Sequence, residues 1–364
     1  MKAFRKHSHA DLAGRSLDRM AWRRFRSNPL SVASLAVIGL FALMALLGYL
    51  ITPDHTPDCN QQYLELATLK PFSRATFLCQ DINDGHREEP RSPLAFMLKG
   101  RPLDHTATPI TQYSIARDTI FATPYNGDPL AASTREAHVE RRTFVLGTDG
   151  YGRDVLSMIM IGSRVSLSVG FIAVLIALLI GITLGALAAY HGGWVDNLVM
   201  WFINVVWSIP TVLLVIAITF VLGKGFWQIF IAVGLTMWVD IARVVRGEVL
   251  SIKEKEYVEA TRALGFSTFR TIFRHILPNI VGAVTVVAAS NFASAILLEA
   301  GLSFLGIGVQ PPTPSWGMMV KENYGYILLD SAYMPLLPGL AIMLIVLAFM
   351  LLANGLRDAL DIRR

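Results

Sequence analysis

The sequence predicts an all-α polytopic membrane protein with six transmembrane helices and a long extracytoplasmic insertion. Three observations predict it. Of 364 residues, 53% are hydrophobic and only 16% charged, whereas a soluble domain carries about 25% charged residues. The mean hydropathy is +0.49. The apolar residues fall in runs of bilayer length, so the surplus apolar surface needs lipid rather than a larger core. The net charge of +5 comes from basic residues that bracket these runs, as membrane-flanking positives do, and not from a nucleic-acid-binding patch.

The runs justify the spans one by one. Ser31 to Ile51 is uncharged and exceeds a signal-peptide core; Thr52-Pro53-Asp54 offers no small-residue cleavage site, so it reads as a retained anchor. Val165 to Tyr190 is also uncharged, and Gly181 and Gly185 stand at a spacing that lets helix backbones approach. Leu198 to Leu222 contains Pro210, where a kink is expected. Phe226 to Val245 carries Gln228, Asp240 and Arg243. Ile280 to Leu298 and Leu336 to Ala353 complete the six.

Charge sets the orientation. Residues 1–30 hold Lys2, Arg5, Lys6, Arg15, Arg19, Arg23, Arg24 and Arg26 against Asp11 and Asp18, which places the N-terminus in the cytoplasm. Alternation then puts residues 246–279 inside, and these are also basic: Arg246, Lys253, Lys255, Arg262, Arg270 and Arg274. The C-terminus, with Arg357, Arg363 and Arg364, falls inside too.

The insertion, 52–145, is polar and carries Pro53, Pro57, Pro71, Pro90, Pro93, Pro102, Pro109, Pro124 and Pro129. Proline interrupts helices and central strands, so a loop-rich subdomain with short elements is expected. It suits either a docking surface for a substrate-delivering protein or a brace for the outer face. Cys59 and Cys79 both lie in it, and spacing leaves open whether they pair. No Cys/His spacing resembles a metal site. After the insertion, Leu146-Gly147-Thr148-Asp149-Gly150-Tyr151-Gly152-Arg153-Asp154 reads as a tight glycine turn. Asp154 is expected to cap a short helix, Val155 to Ile161, that leads into the membrane.

The most informative stretch is Ser251 to Asn279. Tyr257 to Leu264 has helical periodicity, with Tyr257, Val258, Thr261 and Leu264 on one partly apolar face. Gly265 follows where a left-handed residue closes a helix. Ser267 suits the cap of a second helix, with Phe269, Ile272, Phe273 and Ile276 at helical spacing, and Pro278 stands near the start of span five. The result is a short helix–turn–helix elbow on the inner side, fit to seat in a groove of another protein or to rest on lipid headgroups.

Glu259-Ala260-Thr261, Gly265 and Leu277-Pro278 resemble the EAA loop of ABC importer permeases, with Thr261 in place of the second alanine and His275 in place of an isoleucine. The 146–156 stretch and the following Ser163-Arg164-Val165-Ser166-Leu167 resemble the dipeptide/oligopeptide permease family. Three later stretches are similar to that family's C-type subunit: Ala242-Arg243-Val244-Val245-Arg246-Gly247, Leu302 to Pro312, and Ser315-Trp316-Gly317. The resemblance covers residues 17–51 and 146–364. It implies a type I ABC importer transmembrane domain over 146–364, with a coupling loop at 251–279, preceded by a cytoplasmic segment 1–30 and a first span 31–51.

The resemblance also implies a multi-pass protein of the bacterial inner membrane that imports di- or oligopeptides. Its expected partners are a second permease in a heterodimer, two cytoplasmic ATPase subunits and an extracytoplasmic solute-binding protein. Coupling would fall to Glu256, Tyr257, Glu259, Ala260, Thr261, Gly265 and Phe266, with Glu259 as the polar anchor. The chain itself has no G-x-x-x-x-G-K-[ST]; its Gly223-Lys224 is followed by glycine, so ATP is expected on partner subunits and no cofactor, metal or catalytic residue on this one. Similar permeases carry nickel chelates, opines and other small solutes. Asp240 and Arg243 suit either the translocation path or, at three-residue spacing, an intrahelical ion pair, the reading the spacing favours. His191 reads as a surface residue. A secondary transporter would show internal repeats and midplane charges, and a membrane enzyme a catalytic motif; neither is evident.

Overall fold

The computed structural model describes residues 17–81, 92–101, 103, 105–223 and 225–360. Lys2, Arg5, Lys6, Asp11, Arg15, Pro90, Pro102, Lys224, Arg363 and Arg364 lie outside them. The helices are α1 (Leu17–Ser27), α2 (Pro29–Ile51), α3 (Pro93–Lys99), α4 (Val155–His191), α5 (Gly193–Trp207), α6 (Thr211–Leu222), α7 (Phe226–Lys253), α8 (Glu256–Ala263), α9 (Thr268–Thr271), α10 (Leu277–Phe304), α11 (Trp316–Asn323) and α12 (Tyr333–Leu360). Among the described residues, five helical stretches are long and apolar enough to cross a membrane, and α5 and α6, bent by 91° to one another, count as a sixth if taken together as one broken span.

Three helical expectations are corrected. The short helix expected over Val155 to Ile161 is the start of α4, a single helix of 37 residues. Nothing between Ile161 and Val165 breaks it: Gly162 stays helical, packed under the Trp316 indole. At about 1.5 Å per residue α4 reaches roughly 55 Å, longer than a bilayer core. The kink expected at Pro210 is a break, with α5 and α6 meeting at 91°. Ser208, Ile209 and Pro210 leave the helix, and Pro210 sits at the N-cap of α6, where its missing N–H breaks no ladder. The second elbow helix does not stand alone. α9 runs through a π-turn at Ile272–Ile276 directly into α10, so that Thr268–Phe304 is one helical stretch.

Packing follows the small residues. Gly181 and Gly185 bring α4 onto α7; a Cβ at Gly181 would lie 2.7 Å from Ile241 Cβ, and one at Gly185 2.5 Å from the Ala242 carbonyl oxygen. The larger core lies here, with Val169, Ala173, Ala177, Phe230, Val233 and Ile241 inside. Between α4 and α10, Glu299 is fully buried. Ser303 Oγ donates to its Oε1 at 2.7 Å and Ser166 Oγ to its Oε2 at 3.3 Å, which satisfies a carboxyl that would otherwise be costly there.

Among its described residues the insertion is more regular than the loop-rich subdomain expected. It holds a five-stranded antiparallel sheet of β1 (Ser73–Asp81), β2 (His105–Ala116), β3 (Thr119–Pro124), β4 (Leu130–Ser133) and β5 (Ala137–Phe144), in the order β4-β3-β2-β1-β5. Most of the prolines stand outside strand interiors: Pro71 and Pro129 lie between elements, Pro93 opens α3 and Pro124 ends β3, while Pro109 lies within β2 opposite Phe77, beside the register shift at Ile110 and Gln112. One face packs Tyr63, Leu66, Phe77 and Phe144, the other Leu78, Ile110, Ile120 and Ala122. Cys59 and Cys79 are both buried and unpaired.

The glycine turn before α4 anchors the sheet. Asp149 Oδ1 accepts from the Tyr151 and Arg153 amides, both at 2.9 Å, and Arg153 ion-pairs with Asp149 and with Glu322. Asp154 caps α4 through the Ser157 amide at 2.9 Å. Gly152 has φ +74°, and a Cβ there would collide with the Tyr63 carbonyl. One end of the bundle therefore gathers the sheet, the 146–154 turn and 305–332, joined by Tyr333 to Leu69 at 2.6 Å. The other end gathers the α4–α5 junction, the end of α7 and the elbow.

Candidate functional site

The elbow is built by helix-terminus chemistry. After α8, the Gly265 amide donates to the Arg262 carbonyl at 2.9 Å and the Phe266 amide to the Thr261 carbonyl at 3.0 Å. This is a Schellman closure, which needs a left-handed residue, and Gly265 supplies it at φ +75°. Ser267 then caps α9, its Oγ accepting from the Arg270 amide at 3.4 Å. Phe266 lies between the Arg270 guanidinium, 4.3 Å from its ring centre, and the His275 ring at 5.7 Å.

The structure divides the apolar face read from periodicity. Val258 and Thr261 are buried, whereas Tyr257 and Leu264 are exposed. Ile272 and Ile276 likewise face inward while Phe269 and Phe273 stack outside, ring centres 4.2 Å apart. Three-residue spacing selects Val258 and Thr261 for the inner stripe, and Thr261 tolerates burial because its hydroxyl donates to the Val258 carbonyl at 2.7 Å. Glu256, Glu259, Ala260 and Gly265 are exposed on the outer side and Phe266 is half-buried. The elbow therefore exposes four large apolar side chains, Tyr257, Leu264, Phe269 and Phe273, and two carboxylates, Glu256 and Glu259.

Contacts that spacing could not reveal root the elbow in the bundle. The Arg262 guanidinium lies 4.9 Å from the Tyr190 ring centre, and Lys253 Nζ donates to the Ala189 carbonyl at 2.9 Å. Arg246 grips Asp196 with both prongs, Nε to Oδ1 at 2.6 Å and Nη2 to Oδ2 at 2.7 Å. Their partners come from segments some 50 to 70 residues away, with no local sequence signal. His191 is exposed, as expected.

The expected ion pair between Asp240 and Arg243 does not form. Arg243 turns onto the Trp207 ring, 4.0 Å from its centre, at the break before Pro210. A flat guanidinium over an indole face is a favourable cation–π contact. Asp240 instead points into a cavity of about 590 Å³ lined also by Thr211, Thr236, Asn291 and Ser294. Leucines from α10 and Met237 complete a mostly apolar wall carrying one carboxylate.

With the geometry in place, comparison with known proteins is direct. Residues 181–364 match the family described as binding-protein-dependent transport system inner membrane component, and residues 16–71 match the N-terminal TM domain of oligopeptide transport permease C. The glutathione transport system permease protein GsiD of Pectobacterium atrosepticum is 42% identical over 216 residues, 59% of this chain and 71% of that protein. The dipeptide transport system permease protein DppC of Bacillus subtilis is 43% identical over 215 residues, 59% of this chain and 67% of its own length. An inward-facing structure of the MetNI methionine ABC transporter aligns at 21% identity and a TM-score of 0.46, over 56% of this chain and 97% of that one. The elbow, the Asp240 cavity and α12 all lie within the longer match. The chain is a transport permease and belongs to the family of binding-protein-dependent transport system inner membrane components.

Proposed function

We propose that this permease imports di- or oligopeptides as one of two dissimilar permease subunits, driven by two cytoplasmic ATPase subunits and fed by an extracytoplasmic solute-binding protein. The observation that carries the reading is the elbow: it exposes Tyr257, Leu264, Phe269 and Phe273 together with Glu256 and Glu259, on a base locked to α4 and α7. A surface rigidly attached to the spans is what a partner must grip to move them. Glu259 meets the ATPase as a polar anchor, Gly265 fixes the angle of the grip, and both chain termini lie in the cytoplasm on the elbow's side. Relatives named for dipeptide and glutathione transport support a peptidic substrate. Asp240 lines the path that the peptide crosses, with Arg243 held out of it by Trp207.

The test is photo-crosslinking from Tyr257 and Leu264 in the assembled complex, with uptake of a labelled dipeptide measured in parallel. Crosslinks to an ATPase subunit and ATP-dependent uptake are expected. Crosslinks to lipid alone would sink the coupling assignment, and uptake of a nickel chelate or opine but not a peptide would replace the substrate.

A further inference from the structure

The linear spacing of cysteine and histidine shows no metal motif, yet the sheet assembles one across three strands. Cys79 on β1, His105 on β2 and Glu140 on β5 place their donor atoms within 4.8 Å of one another. The register explains it. Cys79 pairs with His138, and Phe77, two residues before it, pairs with Glu140; Asp81, two residues after it, pairs with His105. Paired and alternate positions share a face, so all three ligands project to one side. His138 adds a second imidazole, its ring centre 6.1 Å from that of His105.

We propose that Cys79, His105 and Glu140 form a binding site for a divalent transition metal of the Zn²⁺ class. One thiolate, one imidazole and one carboxylate suit a borderline cation; a hard ion such as Mg²⁺ or Ca²⁺ would be served by oxygens alone. Metal–donor bonds of about 2.0–2.3 Å put tetrahedral donors roughly 3.3–3.8 Å apart. Cys79 Sγ and Glu140 Oε2 already stand at such a spacing, 3.6 Å, no pair needs to close by more than about 1 Å on binding, and a fourth position stays open to water.

A cation already serves this cluster. Arg142 Nη2 donates to Glu140 Oε2 at 2.8 Å and stands 3.4 Å from His105 Nε2. It has other places to rest: Gln61 Oε1 and the Tyr63 hydroxyl, each at 3.3 Å, and the Phe77 face at 4.8 Å. The Cys79 thiol points at Glu140 Oε2 at 3.6 Å. The incoming ion takes the carboxylate from Arg142 and displaces the thiol proton to solvent, leaving the guanidinium on Gln61, Tyr63 and Phe77. The site does not depend on the transport assignment.

The experiment titrates Co²⁺ alone into the full chain in lipid nanodiscs, thiols kept reduced, and reads the thiolate-to-cobalt charge-transfer band. One Co²⁺ per chain with that band is expected, and Zn²⁺ should displace it. Cys79→Ser should abolish the band; His105→Ala and Glu140→Gln should each weaken binding at least about tenfold. Cys59→Ser, which removes the other thiol, should leave it intact. Absence of the band in the unaltered chain, or its survival in Cys79→Ser, would overturn the proposal and leave Glu140 and Arg142 an ordinary ion pair. His105→Ala keeps the test decisive should the cysteine variant misfold.

Discussion

The guanidinium of Arg262 lies over the ring of Tyr190, 4.9 Å from its centre. This joins the short helix of the elbow to the C-terminal end of α4, the 37-residue helix. A force applied at α8 therefore reaches α4 directly, as well as α7 through the chain and α10 through α9.

The closure at Gly265 should be needed for coupling rather than for insertion. A Cβ at this position meets nothing within 4 Å, so any penalty comes from the backbone at φ +75°, about 1–2 kcal/mol for an L-residue. Gly265→Ala should lower transport-coupled ATPase turnover while the protein still reaches the membrane. Gly265→Pro, which also removes the amide donated to Arg262, should uncouple it fully, as should Glu259→Lys. Uptake and ATPase rates measured together on the reconstituted complex check this. Normal uptake in the Gly265→Pro, Glu259→Lys double variant would refute the role.

Asp240 and Arg243 should not behave as a salt-bridged pair. Asp240→Asn is expected to reduce peptide uptake without altering assembly, because it changes the charge of the cavity and breaks no ion pair. Trp207→Ala should instead release Arg243, with a loss of about 0.5–2 kcal/mol in the contact. A double-mutant cycle on thermal stability reads the difference: the coupling between Trp207 and Arg243 is expected to exceed that between Asp240 and Arg243.

The Arg246–Asp196 fork should hold the α5–α7 corner. Removing either partner costs about 1–3 kcal/mol in hydrogen bonds to charged groups. Arg246→Lys should recover only part of it, since an ammonium cannot make both bonds. Unfolding followed by intrinsic tryptophan fluorescence should show Arg246→Ala and Asp196→Ala non-additive. Additive losses would mean that the two do not act as a unit.

Gly152→Ala should detach the sheet from the membrane helices. The new Cβ collides with the Tyr63 carbonyl while the backbone is held at φ +74°, a combined penalty of roughly 2–5 kcal/mol. Proteolysis should then cut faster between residues 60 and 73 than in the unaltered chain. An unchanged digestion pattern would show that the turn gives way elsewhere.

The parts legible in the sequence were those written by local periodicity and caps. The apolar runs located the five membrane-length helices and the bent α5–α6 pair, and Gly265, Ser267 and Asp154 each occupy the terminal position their chemistry suggests. What escaped was set by partners distant in the chain. Proline density argues against regular structure in the insertion, but most of the prolines stand at element ends or between elements and Pro109 sits beside a register shift, while the strands are fixed by cross-strand pairing that no single segment shows. Asp240 and Arg243 had the spacing of an ion pair, and only the break before Pro210 brings Trp207 close enough to claim the arginine. In the elbow, periodicity identified the helices but not which apolar residues turn inward, because that depends on where α7 and α10 leave the membrane.

The π-turn at Ile272–Ile276 has a mechanical meaning. Because no residue between Thr268 and Phe304 leaves the helix, the strut seated in the elbow is the same strut that carries Asn291, Ser294 and Leu298 along the cavity. Rotation of the Thr268 end of this helix about its axis turns those cavity-lining side chains with it, so the elbow and the cavity wall are parts of one rigid element.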